Sequence, residues 1–180
     1  MTALTTLLGP DPHDTGRRWW DVAEITFGSQ RLDVLIVSDG EAVTGVHFGP
    51  SLDLGMTCRE GWTRDPKPLS EAAAQLVEYG AGNLKDFDLP LRALGTDFQR
   101  DVWAELVSIP YGTTTSYGKV AAAVGRPKGS RAVGAAVGSN PIGIVIPCHR
   151  IIGADGSLTG YGGGLDNKVA LLRLEGITAF

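Results

Sequence analysis

The sequence predicts a mixed α/β (α+β) chain, in which a small sheet-and-helix unit precedes a mainly helical half carrying a helix-turn-helix. Three observations support this. The first third alternates apolar and polar residues around an Asp-Gly turn; apolar positions then recur at helical spacing; and two short helical segments are joined by a Gly/Pro turn. Residues 1–20, rich in Thr, Pro, Gly and Asp, are expected to be a flexible tail, 21–90 a small α/β domain, and 91–180 a second domain. Val22–Phe27, Leu32–Val37 and Ala42–Phe48 have the pattern of short strands, with Asp39-Gly40 as the hairpin turn between the last two. Pro50–Pro68 is irregular. Leu69–Tyr79 places Leu69, Ala72, Ala73, Leu76 and Val77 at helical spacing, and Gly80 and Gly82 end it.

In the second half, Thr96 with Gln99 three residues later forms a capping box. Phe98, Val102, Trp103, Leu106 and Val107 then share one helical face up to Pro110-Tyr111-Gly112. A second helix runs from Ser116 to Val124, a turn follows at Arg126-Pro127-Lys128-Gly129, and a third helix covers Ser130 to Val137. Ile142–Ile146 is expected to be a buried strand ending at Pro147-Cys148-His149-Arg150. The glycine run Gly160-Tyr161-Gly162-Gly163-Gly164 leads into a last helix, Leu165 to Glu175.

At 180 residues, with 43% hydrophobic and 20% charged side chains, the composition excludes disordered and collagenous classes. No run approaches the ~20 apolar residues of a membrane span. The first 18 residues lack the basic and apolar regions of a secretory leader. Two cysteines, Cys58 and Cys148, suit a reducing, cytoplasmic interior better than a secreted scaffold, and no Cys/His spacing suggests a metal site. Cys58, beside Arg59-Glu60, reads as incidental. Charge is uneven: residues 1–95 hold 8 basic and 14 acidic residues, whereas 96–180 hold 8 basic and 6 acidic. No Asp or Glu occurs from Leu106 through Ala154, a stretch that contains Lys119, Arg126, Lys128, Arg131 and Arg150. Such a segment is either mostly buried or a surface that approaches a polyanion, where carboxylates would repel phosphate.

Cys148 is the candidate nucleophile. A thiol attacks as thiolate, and a neighbouring base or cation promotes that form. On an extended strand adjacent side chains diverge, so Cys148 and His149 need a turn or a water relay to communicate. The alternative is a small buried hydrophobe. The third helix offers only Arg131 among Ser130, Ala132, Val133, Gly134, Ala135 and Val137. It is too bare to read bases in the major groove, but it suits close approach to the narrow minor groove, or else tight helix packing with Arg131 in a salt bridge. Tyr117 and Tyr161 are either core residues or partners of a bound ring. Glu175, taken alone, reads as a helix surface residue. The glycine run lacks the context of a dinucleotide site, and no phosphate-binding lysine motif is present.

Taken together these residues resemble the O6-alkylguanine-DNA alkyltransferase family. The resemblance runs from about Gly95 to Gly176. It is carried by Gly95-Thr96-Asp97-Phe98-Gln99, Ile109-Pro110-Tyr111-Gly112, Thr115-Ser116-Tyr117-Gly118, Arg131-Ala132-Val133-Gly134, Asn140-Pro141, Ile146-Pro147-Cys148-His149-Arg150 and Gly160-Tyr161-Gly162-Gly163. It implies a ribonuclease-H-like sheet in the N-terminal half. It also implies a single-turnover DNA repair protein without cofactor, in which Cys148 irreversibly takes the alkyl group from O6 of a flipped-out guanine, with O4 of thymine as a second possible site. His149 would act on the thiol through a water, held by Glu175, and Asn140 would brace the adjoining turn. Tyr117 would assist flipping and departure of guanine, and Arg131 would fill the gap in the stack. Ser130, Ala132, Gly134 and Ala135 would line the DNA. Val137, Val145, Ile146, Pro147, Tyr161 and Gly162 would shape the pocket.

The implied partner is duplex DNA containing O6-alkylguanine, bound through the minor groove by a cytoplasmic monomer, nucleoid-associated if the source is bacterial, that can cluster along DNA, with no membrane contact. Gly162 stands where many relatives have Ser, and Gly143 where some have Pro, which bears on whether bulky benzyl adducts fit. The zinc-binding Cys and His of some relatives are absent. Other readings are a non-catalytic alkyl-lesion binder of the same architecture, which would lack the reactive cysteine, a Cys–His hydrolase, and a plain DNA-binding regulator.

Overall fold

The computed structural model describes residues 6–7, 15–28, 30–49 and 59–180. Cys58 and the start of the Pro50–Pro68 segment lie outside them. In chain order the strands are β1 (Thr6–Leu7), β2 (Arg18–Phe27), β3 (Gln30–Ser38), β4 (Val43–Phe48), β5 (Trp62–Arg64), β6 (Pro90–Leu91), β7 (Thr115–Ser116) and β8 (Ile151–Ile152). The helices are α1 (Ser70–Gly80), α2 (Asp97–Val107), α3 (Tyr117–Ala123), α4 (Ser130–Gly138) and α5 (Leu165–Leu174).

Six strands form one sheet in the order β1-β6-β4-β3-β2-β5, built on an antiparallel β2-β3-β4 meander with parallel partners at its margins. The expected hairpin is present: Asp39 caps the turn with bonds from the Glu41 and Ala42 amides, and Gly40 takes φ 98°. Part of the expected tail is strand. Arg18–Trp20 belong to β2, where Arg18 pairs with Trp62, and Thr6–Leu7 pair in parallel with Pro90–Leu91. Within Pro50–Pro68, residues 62–64 are strand rather than irregular.

α1 packs on β2 and buries Ala72, Leu76 and Tyr79. α2 forms as its local signals require, with both halves of the Thr96–Gln99 capping box made and Val102, Trp103 and Leu106 buried. Its Trp103 Nε1 donates to the Ala136 carbonyl at 2.8 Å, fixing α2 against α4. α3, capped by Ser116, and α4 form the helix-turn-helix. The buried cluster is continuous from Ile25 and Phe48 in the sheet to Val133, Ile146 and Leu171 in the second half, so the two halves share one core.

One expected element is absent. Residues 142–146 form no strand; Ile142 makes a single bridge to Val46, and Ile144 takes φ 68°. A β-branched residue there is strained by about 1–2 kcal/mol. Three hydrogen bonds fold the segment instead. Asn140 Oδ1 accepts from the Ile142 amide at 3.0 Å, Asn140 Nδ2 donates to the Ile146 carbonyl at 2.9 Å, and the Ile146 amide donates to the Ile142 carbonyl at 3.0 Å. Cys148 therefore opens a one-turn 3-10 helix, Cys148–Arg150, rather than ending a strand.

Candidate active site

That turn brings the thiol and the imidazole of adjacent residues into one buried neighbourhood. Cys148 Sγ accepts a hydrogen bond from Asn140 Nδ2 at 3.2 Å. Burial pushes the thiol pKa up, and the Asn140 bond and the Lys168 charge offset that only in part, so the resting group is the protonated thiol. It needs a base. His149 is fully buried, which lowers its pKa below the usual 6.5 despite the opposing Glu175 carboxylate, and the ring is neutral at physiological pH. Its Nε2 lies 2.9 Å from Glu175 Oε1. A carboxylate accepts, so Nε2 carries the proton and Nδ1 presents a lone pair. Nδ1 is buried and has no partner among the described residues. Cys148 and His149 make no direct hydrogen bond among the described residues either.

Glu175 caps α5 and is buried, not on the helix surface. Burial alone would raise its pKa, but hydrogen bonds and charge from His149 and Arg150 outweigh this and bring it to about 2. Arg150 Nε and Nη2 grip the carboxylate at 2.8–3.0 Å, its Nη1 donates to the Ile109 carbonyl, and the Gly112 amide donates to Glu175 Oε2 at 3.1 Å. Tyr79, from α1, donates to Glu175 Oε1 at 2.6 Å. Such a fully bonded carboxylate is a fixed anchor for the imidazole.

A cavity of about 100 Å³ opens beside Cys148. Val137, Tyr161 and Gly162, expected in the pocket, line it, and so do Tyr117, Gly134 and Asn140. Val145, Ile146 and Pro147, expected in its wall, are buried but lie outside that lining. Tyr117 Oη and Thr159 Oγ1 are 2.8 Å apart, linking α3 to the loop opposite. Gly162 is exposed, and nothing lies within 4 Å of where a Cβ would stand, so packing does not forbid a side chain there.

Beside this cavity runs the helix-turn-helix. Ser130, Arg131, Ala132 and Ala135 are exposed and Gly134 is half-buried. Lys119, Arg126, Lys128 and Arg131 are all exposed, and Arg131 makes no ion pair among the described residues. The acid-free stretch thus splits: 142–151 are buried, whereas the polar groups of the two helices and their turn give a positive surface. No group of three His, Cys, Asp or Glu among the described residues could hold a metal, and no helix among them is long and apolar enough to cross a membrane.

The sequence pointed to no site residue in the first half, yet that half contributes to the site. Tyr79 holds the Glu175 carboxylate, and Val46, His47 and Phe48 on β4 line the cavity. Lys168 was also missed. It is fully buried, donates to the Ile151 carbonyl at 2.5 Å, and has its pKa lowered by burial to about 8.

A buried thiol next to a buried imidazole, on one chain with a basic helix-turn-helix, is the arrangement of a protein whose chemistry is directed at DNA, and similarity to known proteins narrows the class. The family model for the DNA binding domain of 6-O-methylguanine DNA methyltransferase matches residues 97–177. A methylated-DNA–protein-cysteine methyltransferase of Mycolicibacterium paratuberculosis is 56% identical over 117 residues, covering 65% of this chain and 71% of the relative. One from Methanosarcina acetivorans is 47% identical over 143 residues, covering 79% and 91%. The crystal structure of Mycobacterium tuberculosis OGT in complex with DNA superposes with TM-score 0.73 at 45% identity, covering 88% of this chain and 92% of that one. The chain belongs to the methylated-DNA–protein-cysteine methyltransferase family.

Proposed function

We propose that the protein repairs DNA by moving a methyl or other small alkyl group from O6 of guanine to Cys148, once per molecule. The unpartnered Nδ1 of His149 carries this reading, because it is a buried neutral base beside a buried thiol, with its opposite nitrogen committed to Glu175. In the reaction the thiol proton passes through a water to Nδ1, and sulfur attacks the alkyl carbon in line. The C–O6 bond breaks, and its electron pair leaves with guanine. Tyr117 supplies a hydroxyl at the cavity mouth to meet that developing charge, which is the role of a donor in a leaving-group site. The product thioether has no route back, and the scheme calls on no cofactor.

The flipped base enters the cavity from the duplex. Flipping costs a few kcal/mol, least for a poorly paired lesion, and Arg131 offsets part of this by filling the vacated stack. The exposed Ser130, Ala132, Gly134 and Ala135 of α4 approach the minor groove closely because they carry little bulk. Residues 91–180 are assigned DNA contact and transfer, with the N-terminal α/β unit supporting them. The protein acts in the cytoplasm, on the nucleoid in a bacterium, as a monomer. A non-catalytic lesion binder is disfavoured by Cys148 and its base, and a hydrolase by the basic helix-turn-helix. Titration with a duplex carrying isotopically labelled O6-methylguanine tests the reading: label transferred should plateau at one equivalent per protein. Continued turnover would support the hydrolase, and no transfer would support the lesion binder.

A further inference from the structure

Two glycines in the cavity wall leave space that the Phe48 side chain fills. A Cβ on Gly143 would stand 2.7 Å from Phe48 Cε1, and one on Gly163 would stand 2.5 Å from Phe48 Cε2. The Phe48 ring is therefore wedged between the turn that leads to Cys148 and the glycine loop, with opposite edges against each. It is held on further sides. Tyr161 packs against it at 6.1 Å between ring centroids, tilted by 49°. The next residue, Gly49, has φ 57° and sits so close to the loop that a Cβ would meet the Gly163 carbonyl at 2.5 Å. Asn167 Nδ2 pins that same carbonyl at 2.6 Å. The ring is buried, yet it lines the cavity that contains the thiol.

We infer that Phe48, contributed by the N-terminal sheet, sets the size of alkyl group that Cys148 accepts, confining the protein to small adducts. The inference rests on the transferase reading and adds a specificity determinant outside the 91–180 half. The cavity that receives the guanine also has to hold the alkyl group, so the space left for that group is set by the cavity walls, of which the Phe48 ring is one. The rigid wedge cannot swing aside, because the two backbones flanking it are themselves held by the Val46–Gly143 and Asn167–Gly163 bonds. An aralkyl group on O6 would need the volume that the Phe48 ring fills. Steric exclusion of this kind is how apolar pockets discriminate by size.

The test compares single-turnover rates on duplexes carrying one O6-methylguanine or one O6-benzylguanine, for the wild type, Phe48→Leu and Phe48→Ala. The benzyl-to-methyl rate ratio should rise in that order, by roughly tenfold or more for Phe48→Ala. Phe48→Leu decides the matter if the larger truncation does not fold. A complementary pair uses Gly143→Ala, which should lose methyl transfer in the wild-type background and regain it when combined with Phe48→Leu. A ratio that changes by less than about twofold in variants that still transfer methyl overturns the inference. So does a Gly143→Ala variant as active as wild type. Failure of the wild-type chain to transfer methyl at all overturns the transferase reading itself, and is told apart by that methyl arm.

Discussion

Replacing Glu175 by Gln keeps the side chain's shape and removes its charge. The carboxylate accepts from His149 Nε2, Arg150 Nε and Nη2, Tyr79 Oη and the Gly112 amide. Its pKa falls from an ordinary 4.5 to about 2, which corresponds to about 3 kcal/mol of preference for the charged form. Glu175→Gln forfeits that preference and leaves Arg150, 6% exposed, without its counter-charge, a change that typically costs about 3–5 kcal/mol. Urea unfolding at pH 7 should show a loss in this range. The pH dependence gives a second signature. Because the folded-state pKa is depressed, the contribution is complete above pH 4.5 and is lost as pH falls through 4.5 toward 2. The wild type should lose this stability over that window, and Glu175→Gln should lack this component. Transfer should slow at least tenfold, by roughly 1.4 kcal/mol or more of barrier, because the imidazole loses the bond that fixes its tautomer. A variant within about 1 kcal/mol of wild-type stability and with unchanged transfer would refute the assignment of Glu175 as anchor.

Cys148→Ala should abolish transfer while retaining binding to a lesion-containing duplex, since the thiol and the basic helices are separate parts; gel shift and labelled transfer check this, and joint loss would contradict it. Arg131→Ala should weaken duplex binding more than it slows reaction with free O6-methylguanine base, and equal losses would make Arg131 structural. The single-turnover rate should fall on the acid side only below pH 6.5, because burial holds His149 below that value and the neutral ring is the working base; a midpoint above pH 6.5 would contradict this. Tyr79→Phe should slow transfer and move the acid limb upward, as removing one donor to Glu175 strengthens its hold on protonated His149; a purely structural Tyr79 would leave the limb in place.

Elements governed by local rules were legible in the sequence. The Thr96–Gln99 box and the Asp39-Gly40 hairpin depend on neighbours a few residues away, and each formed as read. Residues 142–146 did not, because an apolar run has no local signal for the Asn140 side chain that folds it into a turn. The strained Ile144 is equally a product of that tertiary bracing. Glu175 looks like helix surface in isolation, and only the family resemblance joined it to His149. What buries it is Arg150 and Tyr79, one 25 and the other 96 residues away. Phe48 and Tyr79 carry no local mark of function at all. Their roles come from the packing of the sheet and α1 against the second half, and the small residues Gly143 and Gly163 are the only trace of that packing in the sequence.

Transfer to Cys148 is tested most directly by intact mass spectrometry after incubation with a duplex containing one O6-methylguanine, followed by peptide mapping. The expected result is a gain of one methyl group per protein, located on the peptide that contains Cys148. An unchanged mass with the lesion intact, or a methyl group on any other residue, would contradict it.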